Sequence, residues 1–266
     1  MFESIHFESA GRRTTNASRP DVLDRLRAIV GDENVVVDPE RVEPYGVDAV
    51  KEKFPPEAVV FPATTAEMAA ILKLANEVVF PVTARGGGVG YTGGAVPVEG
   101  GIVIGTDRMK QIFEINVDDL YITCQPGLTT YEVQQAAAEV GLMFAPDPAS
   151  YKDSFIGGNI AENAGGMRTP KYGVTKHHVL GLEVVTATGD IIRTGGRTVK
   201  NVVGFDLTGL MCGSEGMLGI ITEATLKLLP MPEATSTVRA NFTSMEAACK
   251  VLTKFTPHGI LPMAME

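Results

Sequence analysis

The stretch Arg-Gly-Gly-Gly-Val-Gly-Tyr-Thr-Gly-Gly-Ala-Val-Pro at residues 85–97 constrains this chain more than any other, because six of the nine positions from 86 to 94 are glycine. Successive residues without a Cβ can take positive φ and let a bulky group approach the main chain, so that several backbone N–H groups converge on one anion. Each amide-to-phosphate hydrogen bond is charge-assisted and contributes roughly 1.5–3 kcal/mol. A merely flexible glycine loop usually also carries Ser, Asn or Lys, whereas this one lies between two apolar runs that read as strands. The expectation is a loop that grips a pyrophosphate with backbone alone.

Two commoner phosphate motifs do not fit. Gly88-Val89-Gly90-Tyr91-Thr92-Gly93 satisfies GxGxxG, and Asp107 stands near the distance of a ribose-binding carboxylate. In a dinucleotide fingerprint, however, the third glycine opens a helix whose N-terminus holds the phosphate. Here Gly94-Ala95-Val96-Pro97 leads on to the apolar run Ile102-Val103-Ile104, and Pro97 would spoil the first turns of such a helix. A Walker loop is excluded because no Gly-Lys-Ser/Thr follows the glycines.

The 266 residues, 44% hydrophobic and 21% charged, suffice for one large or two modest domains with a real core. A formal net charge of −9, with no Lys/Arg run longer than a pair, argues against nucleic acid or an anionic membrane surface as the main partner. Residues 1–20 are polar, and no span of about 18 apolar residues occurs, so no transmembrane segment is expected and the protein reads as cytoplasmic. Cys124, Cys212 and Cys249 are widely spaced and form no CxxC, which leaves no iron–sulfur or zinc site and predicts buried, reduced thiols. Among the histidines, His6 falls in a tail, His177 and His178 in a polar surface turn, and His258 near the end. None is paired by spacing with a carboxylate or nucleophile, so no catalytic base is assigned.

The pattern of elements is α+β. Val22, Leu23, Leu26, Ile29 and Val30 predict an amphipathic helix over 19–30 stopped by Gly31. A strand over 58–61, a helix from the capping box Thr64-Thr65-Ala66-Glu67 to about 76, and a strand over 78–84 form a βαβ unit that delivers the chain to Arg85. Further strands are predicted over 101–106 and 120–125, a helix from Thr129 or Thr130 to 140 ended by Gly141, and a hairpin of 179–186 and 190–194 about Ala187-Thr188-Gly189. The small-residue segment at 156–166 reads as one helical turn over 160–164 whose N-terminus offers amides at Gly157, Gly158 and Asn159, or equally as a tight loop packed on a sheet. A third glycine cluster at 213–219 enters a strand ending near Leu229; beyond it, strands over 235–242 and 259–265 around a helix over 243–255 read as the start of another α+β unit.

Three motifs in one order, Arg-Gly-Gly-Gly-x-Gly-x-x-Gly-Gly-Ala at 85–95, Ile-Gly-Gly-Asn-Ile-Ala-Glu-Asn-Ala-Gly-Gly at 156–166 and Gly-Ser-Glu-Gly-x-Leu-Gly-Ile-Ile-Thr-Glu at 213–223, resemble the FAD-linked D-2-hydroxyacid dehydrogenase family. That family includes the glycolate oxidase flavin subunit and FAD-linked D-lactate dehydrogenases. Lys200-Asn201-Val202-Val203-Gly204-Phe205-Asp206-Leu207 is also similar to it, and the match covers roughly residues 54–230. The resemblance implies an α+β FAD-binding domain of the PCMH/VAO type, whose two subdomains enclose the cofactor. It also implies an N-terminal helical segment over 1–53 and, over 231–266, the beginning of a substrate-covering cap domain truncated before the catalytic half.

Site residues follow from the resemblance too. It places Gly86, Gly87, Gly88, Val89 and Gly90 around the pyrophosphate with Tyr91 and Thr92 alongside, and Arg85 at the loop's mouth as either a cofactor contact or a structural ion pair. It places Pro146, Asp147, Pro148, Ser150, Gly157, Gly158 and Asn159 by the ribityl chain and isoalloxazine, extended by Asn163 and Gly166, and Gly216, Gly219 and Ile221 by the adenosine. Val89 stands where the family often has Thr, and the loop has no histidine for a covalent flavin link, so non-covalent FAD is expected. The implied activity is oxidation of a small 2-hydroxy acid to the 2-oxo acid, electrons leaving FAD for a separate acceptor, an iron–sulfur subunit among the candidates, with contact at the inner membrane face only through such a partner. Alternatives are an FAD-binding module without turnover, or a flavoenzyme of the same fold such as an enolpyruvyl reductase or an ether-lipid synthase. The base, substrate arginine and any metal ligands of the family fall beyond Glu266, so no catalytic or metal-ligating residue is named.

Overall fold

The computed structural model describes residues 14–265; His6 lies outside them. The first sheet consists of β1 (Val35–Val36), β2 (Ala58–Val60), β3 (Val82–Arg85) and β4 (Ile102–Gly105) in the order β1-β2-β4-β3. β2 and β3 run parallel to β4 on either side of it, and β1 pairs antiparallel at the edge. Helix α1 (Pro20–Val30) starts on a proline, whose missing N–H costs nothing at a first turn, and stops at Gly31, φ 91°. After the short α2 (Pro39–Val42), α3 (Thr65–Val78) crosses from β2 to β3. Val22, Leu26 and Val30 of α1 share one core with Met68, Ile71 and Leu72 of α3 and with Ile102 and Ile104 of the sheet.

The second sheet is antiparallel throughout. It contains β5 (Ile112–Asn116) and β6 (Tyr121–Cys124), then, after the two-residue β7 (Leu142–Met143), β8 (Val179–Val185), β9 (Ile191–Gly195) and β10 (Ile220–Lys227), in the order β5-β6-β10-β8-β9. β7 pairs separately with β11 (Leu229–Pro230). Helices α4 (Thr130–Glu139), α5 (Ile156–Ala161), α6 (Thr169–Tyr172) and α7 (Leu207–Met211) accompany this sheet, and Val133, Phe144, Ile156, Ile160 and Met211 pack with Ile122, Leu182 and Leu226 in a second core. The two halves share a polar seam. Buried Glu183 of β8 accepts hydrogen bonds from Thr65 Oγ1 of α3 at 2.6 Å and Thr222 Oγ1 at 3.0 Å, and pairs with Arg193 at 2.6 Å. A buried carboxylate is tolerated only when its oxygens are satisfied in this way.

Several expectations hold: the helices over α1 and α4, Thr129 as the cap of α4, where Glu132 completes a capping box, and the hairpin of β8 and β9. Others are corrected. Thr64 caps α3, but Glu67 reaches back to Ala63 N rather than to Thr64 N, and the helix continues to Val78, so the strand expected over 78–84 is confined to β3. The turn expected over 160–164 begins at Ile156, because the Ile156 and Gly157 N–H groups are taken by the Leu128 and Pro126 carbonyls and start the helix one turn earlier. β5 and α7 were not expected; β5 lacks a fully apolar face, and α7 depends on the Asp206 carboxylate accepting the Gly209 N–H at 2.7 Å. The strands expected over 235–242 and 259–265 do not form. A strand needs a neighbour for its backbone groups, and none is offered there. Between them α8 (Met245–Phe255) forms, with no buried residue. Cys124 and Cys212 are buried and their thiols are pushed up by burial, to about 12 and about 11, but Cys249 is exposed on α8. His177 is exposed as expected, whereas His178 is buried edge-on to Phe144 with Nε2 2.9 Å from Tyr172 O, and burial lowers its pKa.

Val79, 74% exposed at the C-cap of α3, has φ 63° and ψ 80°, a left-handed conformation that a β-branched residue adopts only under strain. Val79→Gly is expected to stabilise the fold by about 1 kcal/mol, read as a rise in the urea midpoint at unchanged slope.

Candidate cofactor cleft

β3 and β4 are parallel neighbours, so the chain leaving the end of β3 must travel back before it can enter β4. No helix makes that return; residues 86–101 do, as an irregular loop. Its frame uses specific partners. The buried Arg85 guanidinium donates to the carbonyls of Pro44 (3.3 Å), Tyr45 (3.5 Å) and Ala95 (3.3 Å) and lies 5.7 Å from the Tyr45 ring centroid. Buried Asp48 accepts the N–H groups of Val50 (2.8 Å) and Gly93 (3.0 Å), the Gly90 carbonyl accepts Ala49 N–H at 3.1 Å, and Glu57 accepts Gly101 N–H at 3.2 Å. Among the described residues, the N–H groups of Gly86, Gly87, Gly88, Val89, Gly90, Tyr91 and Thr92 make no hydrogen bond. The loop is thus tied through its carbonyls and its ends while a row of donors stays free, an arrangement suited to a polyanion.

The facing wall is α5 with the turn before it. A Cβ on Gly87 would fall on the Asp153 carbonyl oxygen; Gly88, φ 66°, sits against the Arg85 guanidinium. A Cβ on Gly86 would lie 3.3 Å from Phe155 Cβ and 3.6 Å from Gly158 N, so loop and helix are nearly in contact there. The Asn159 amide donates to Thr130 Oγ1 at 2.5 Å and is therefore committed to the protein, whereas the Gly158 N–H has no acceptor among the described residues. The turn Ser214-Glu215-Gly216 and the start of β10 at Gly219, Ile220 and Ile221 complete the cleft.

Of the residues singled out from the sequence, Arg85, Gly86, Gly87, Gly88, Val89, Gly90, Thr92, Ser150, Gly157, Gly158, Asn159, Gly216, Gly219 and Ile221 line this one cleft. Six others do not. Tyr91 is 79% exposed; Pro146 and Pro148 are buried; Asp147 pairs with Arg168 at 3.1 Å; Asn163 Oδ1 accepts Lys176 N–H at 2.9 Å; and Gly166 packs against the Asp147 carbonyl. Arg85 has no carboxylate partner among the described residues, so the ion pair considered for it is replaced by three carbonyls. Asp48, Thr106, Pro126 and Phe155 also line the cleft, and no local pattern singles them out, because each arrives there through a long-range contact; Glu162 and Glu215, which lie inside the second and third motifs without having been assigned a place, line it too.

Among the described residues, the cleft carries carboxylates and no free cation. Glu162, within 3.0 and 3.1 Å of Thr92 Oγ1, has its pKa raised by burial, less the effect of that hydroxyl, and raised further by the charges of Glu215 and Asp48. Burial lowers the pKa of Arg85. Side-chain charge therefore does not attract an anion here, and the free main-chain dipoles must. Among the described residues, no histidine or cysteine lines the cleft.

A row of unsatisfied amides between a mainly parallel and an antiparallel sheet defines a two-subdomain α+β nucleotide-binding protein of the PCMH/VAO type. The chain belongs to the family described as FAD binding domain, which matches residues 56–195. It is 44% identical over 247 residues to glycolate oxidase subunit GlcD of Bacillus subtilis (strain 168), an alignment covering 92% of this chain and 53% of that protein. It is 43% identical over 208 residues to a D-lactate dehydrogenase of Archaeoglobus fulgidus, covering 78% and 46%. In structure it is similar to an alkyldihydroxyacetonephosphate synthase, with TM-score 0.81 and 21% identity over 98% of this chain and 48% of that one. The chain spans about half the length of the curated relatives it matches. FAD fits the residues present, since free amides suit its phosphates and the open faces of Gly90 and Gly158, where a Cβ would touch nothing within 4 Å, leave room for a ligand.

Proposed function

We propose that this chain is the FAD-binding part of an oxidoreductase that converts a small 2-hydroxy acid, such as glycolate or D-lactate, to the 2-oxo acid. The row of free N–H groups from Gly86 to Thr92 carries the reading. In it, Gly86, Gly87, Gly88, Val89 and Gly90 hold the pyrophosphate of non-covalent FAD. Ser150, Gly157 and Gly158 face the ribityl and ring portion, and Gly216, Gly219 and Ile221 the adenosine. Bound FAD accepts the hydride equivalent from the α-carbon; the residues of this chain bind it, orient it and exclude water. A separate acceptor takes the electrons, and the protein works in the cytoplasm. Among the described residues no helix is long and apolar enough to cross a membrane.

A second reading, an FAD-holding module without turnover, is favoured by the half-length match to the relatives. One experiment separates the two. The purified chain is reconstituted with FAD, its visible spectrum recorded, and glycolate, D-lactate or D-2-hydroxyglutarate added without oxygen, to this chain and to a form extended past Glu266. A retained flavin spectrum is expected, with bleaching at least in the extended form. Failure to retain flavin removes both readings; retention without bleaching in either form leaves the module.

A further inference from the structure

We propose that Thr106 is a cofactor ligand, its Oγ1 hydrogen-bonding an oxygen of the ribityl-phosphate linker of the flavin nucleotide; this rests on the assignment of the cleft to FAD. Thr106 follows the last residue of β4 and lines the cleft. Its main chain is fixed, with its N–H bonded to Arg85 O at 3.3 Å and its carbonyl accepting Met109 N–H at 2.9 Å. The residue is 6% exposed, and Oγ1 has no hydrogen-bond partner. Folded proteins leave few buried hydroxyls unsatisfied, because desolvation without a replacement bond is unfavourable. Among the described residues one other buried side-chain atom is orphaned in this way, Nδ1 of His178, and His178 is not on the cleft wall.

The chemistry also separates Thr106 from its neighbours. The glycine-loop amides only donate, whereas a hydroxyl donates to a phosphoryl oxygen or accepts from a ribityl hydroxyl. Of the four other hydroxyls on the cleft, Thr92 is engaged with Glu162 and Ser154 with Thr130, whereas Ser150 and Ser214 are only half-buried and within reach of water. Thr106 has no such commitment.

Thr106→Val keeps the shape and removes the hydroxyl, so its two effects have opposite sign. Without FAD it is expected to raise Tm by about 2–4 °C, since an unsatisfied buried group is gone. In a fluorescence titration of the apoprotein with FAD it is expected to weaken binding about tenfold, while Thr106→Ser stays within about twofold of wild type. Wild-type FAD affinity in Thr106→Val overturns the proposal and leaves the assignment of the cleft intact. Weaker binding that Thr106→Ser does not restore, with a lowered Tm, also overturns it, because the side chain is then structural. A wild-type chain that takes up no FAD overturns both this proposal and the assignment beneath it.

Discussion

Gly87→Ala is expected to weaken FAD binding by at least about 100-fold and to destabilise the fold by about 2–4 kcal/mol. The added methyl would occupy the position of the Asp153 carbonyl oxygen, and both atoms belong to main chain, so no rotamer change relieves the overlap. Either the glycine loop lifts off the segment before α5 or that segment moves, and the free N–H groups no longer converge. Gly90→Ala is the matched control. Its Cβ meets nothing within 4 Å, so its unfolding free energy from a urea melt is expected within about 0.5 kcal/mol of wild type. The measurements are an FAD titration and a urea melt for each variant. Equal losses of stability in the two would show that close approach at position 87 is not what requires glycine.

The second large effect concerns Glu57, 3% exposed at the start of β2. Its carboxylate accepts main-chain N–H groups from Thr15 at 2.8 Å, Ser18 at 3.2 Å and Gly101 at 3.2 Å, so one side chain joins the segment before α1 to the far end of the cofactor loop. Burial raises its pKa, but the donors from Ser18, Thr15 and Gly101 outweigh burial and hold it below its ordinary value of 4.5. A carboxyl depressed in the folded state stabilises the fold fully above its unfolded pKa, and that contribution is lost as pH falls through the folded value. Glu57→Ala is therefore expected to cost about 3–4 kcal/mol at pH 7, where three donors lose a charged acceptor. Wild-type stability should fall as the pH drops below about 4.5, and less steeply in the variant. Urea melts from pH 7 to pH 3 check both; parallel pH profiles for wild type and variant would rule out the linkage to Glu57.

Much of the fold was legible because it follows from short-range chemistry. A threonine hydroxyl at Thr129 can cap the first turn of α4 from its own place in the sequence, and Gly141 at φ 76° ends the helix because glycine enters that region without strain. The same holds for the glycine loop, whose lack of Cβ atoms is a property of the sequence itself. The strands expected over 235–242 and 259–265 have the right residues and no partner, and strand formation is a pairwise event. His178 was misplaced at the surface for a related reason: its neighbours in sequence are polar, but Phe144 covers it from a distant part of the chain.

Residue order by itself determined that this chain would bare main-chain amides in a loop between two strands, with neither a Rossmann helix nor a Walker lysine beside them. Tertiary structure decided which amides stay free and what surrounds them. It spends Arg85 on the carbonyls of Pro44, Tyr45 and Ala95, brings Asp48 and Glu162 to the same cleft as the loop, and buries the Thr106 hydroxyl without a partner. The division has one cause. Whether a residue can adopt a backbone angle is settled by its own atoms, but whether a polar group is satisfied depends on every group that packing brings within 3.5 Å of it.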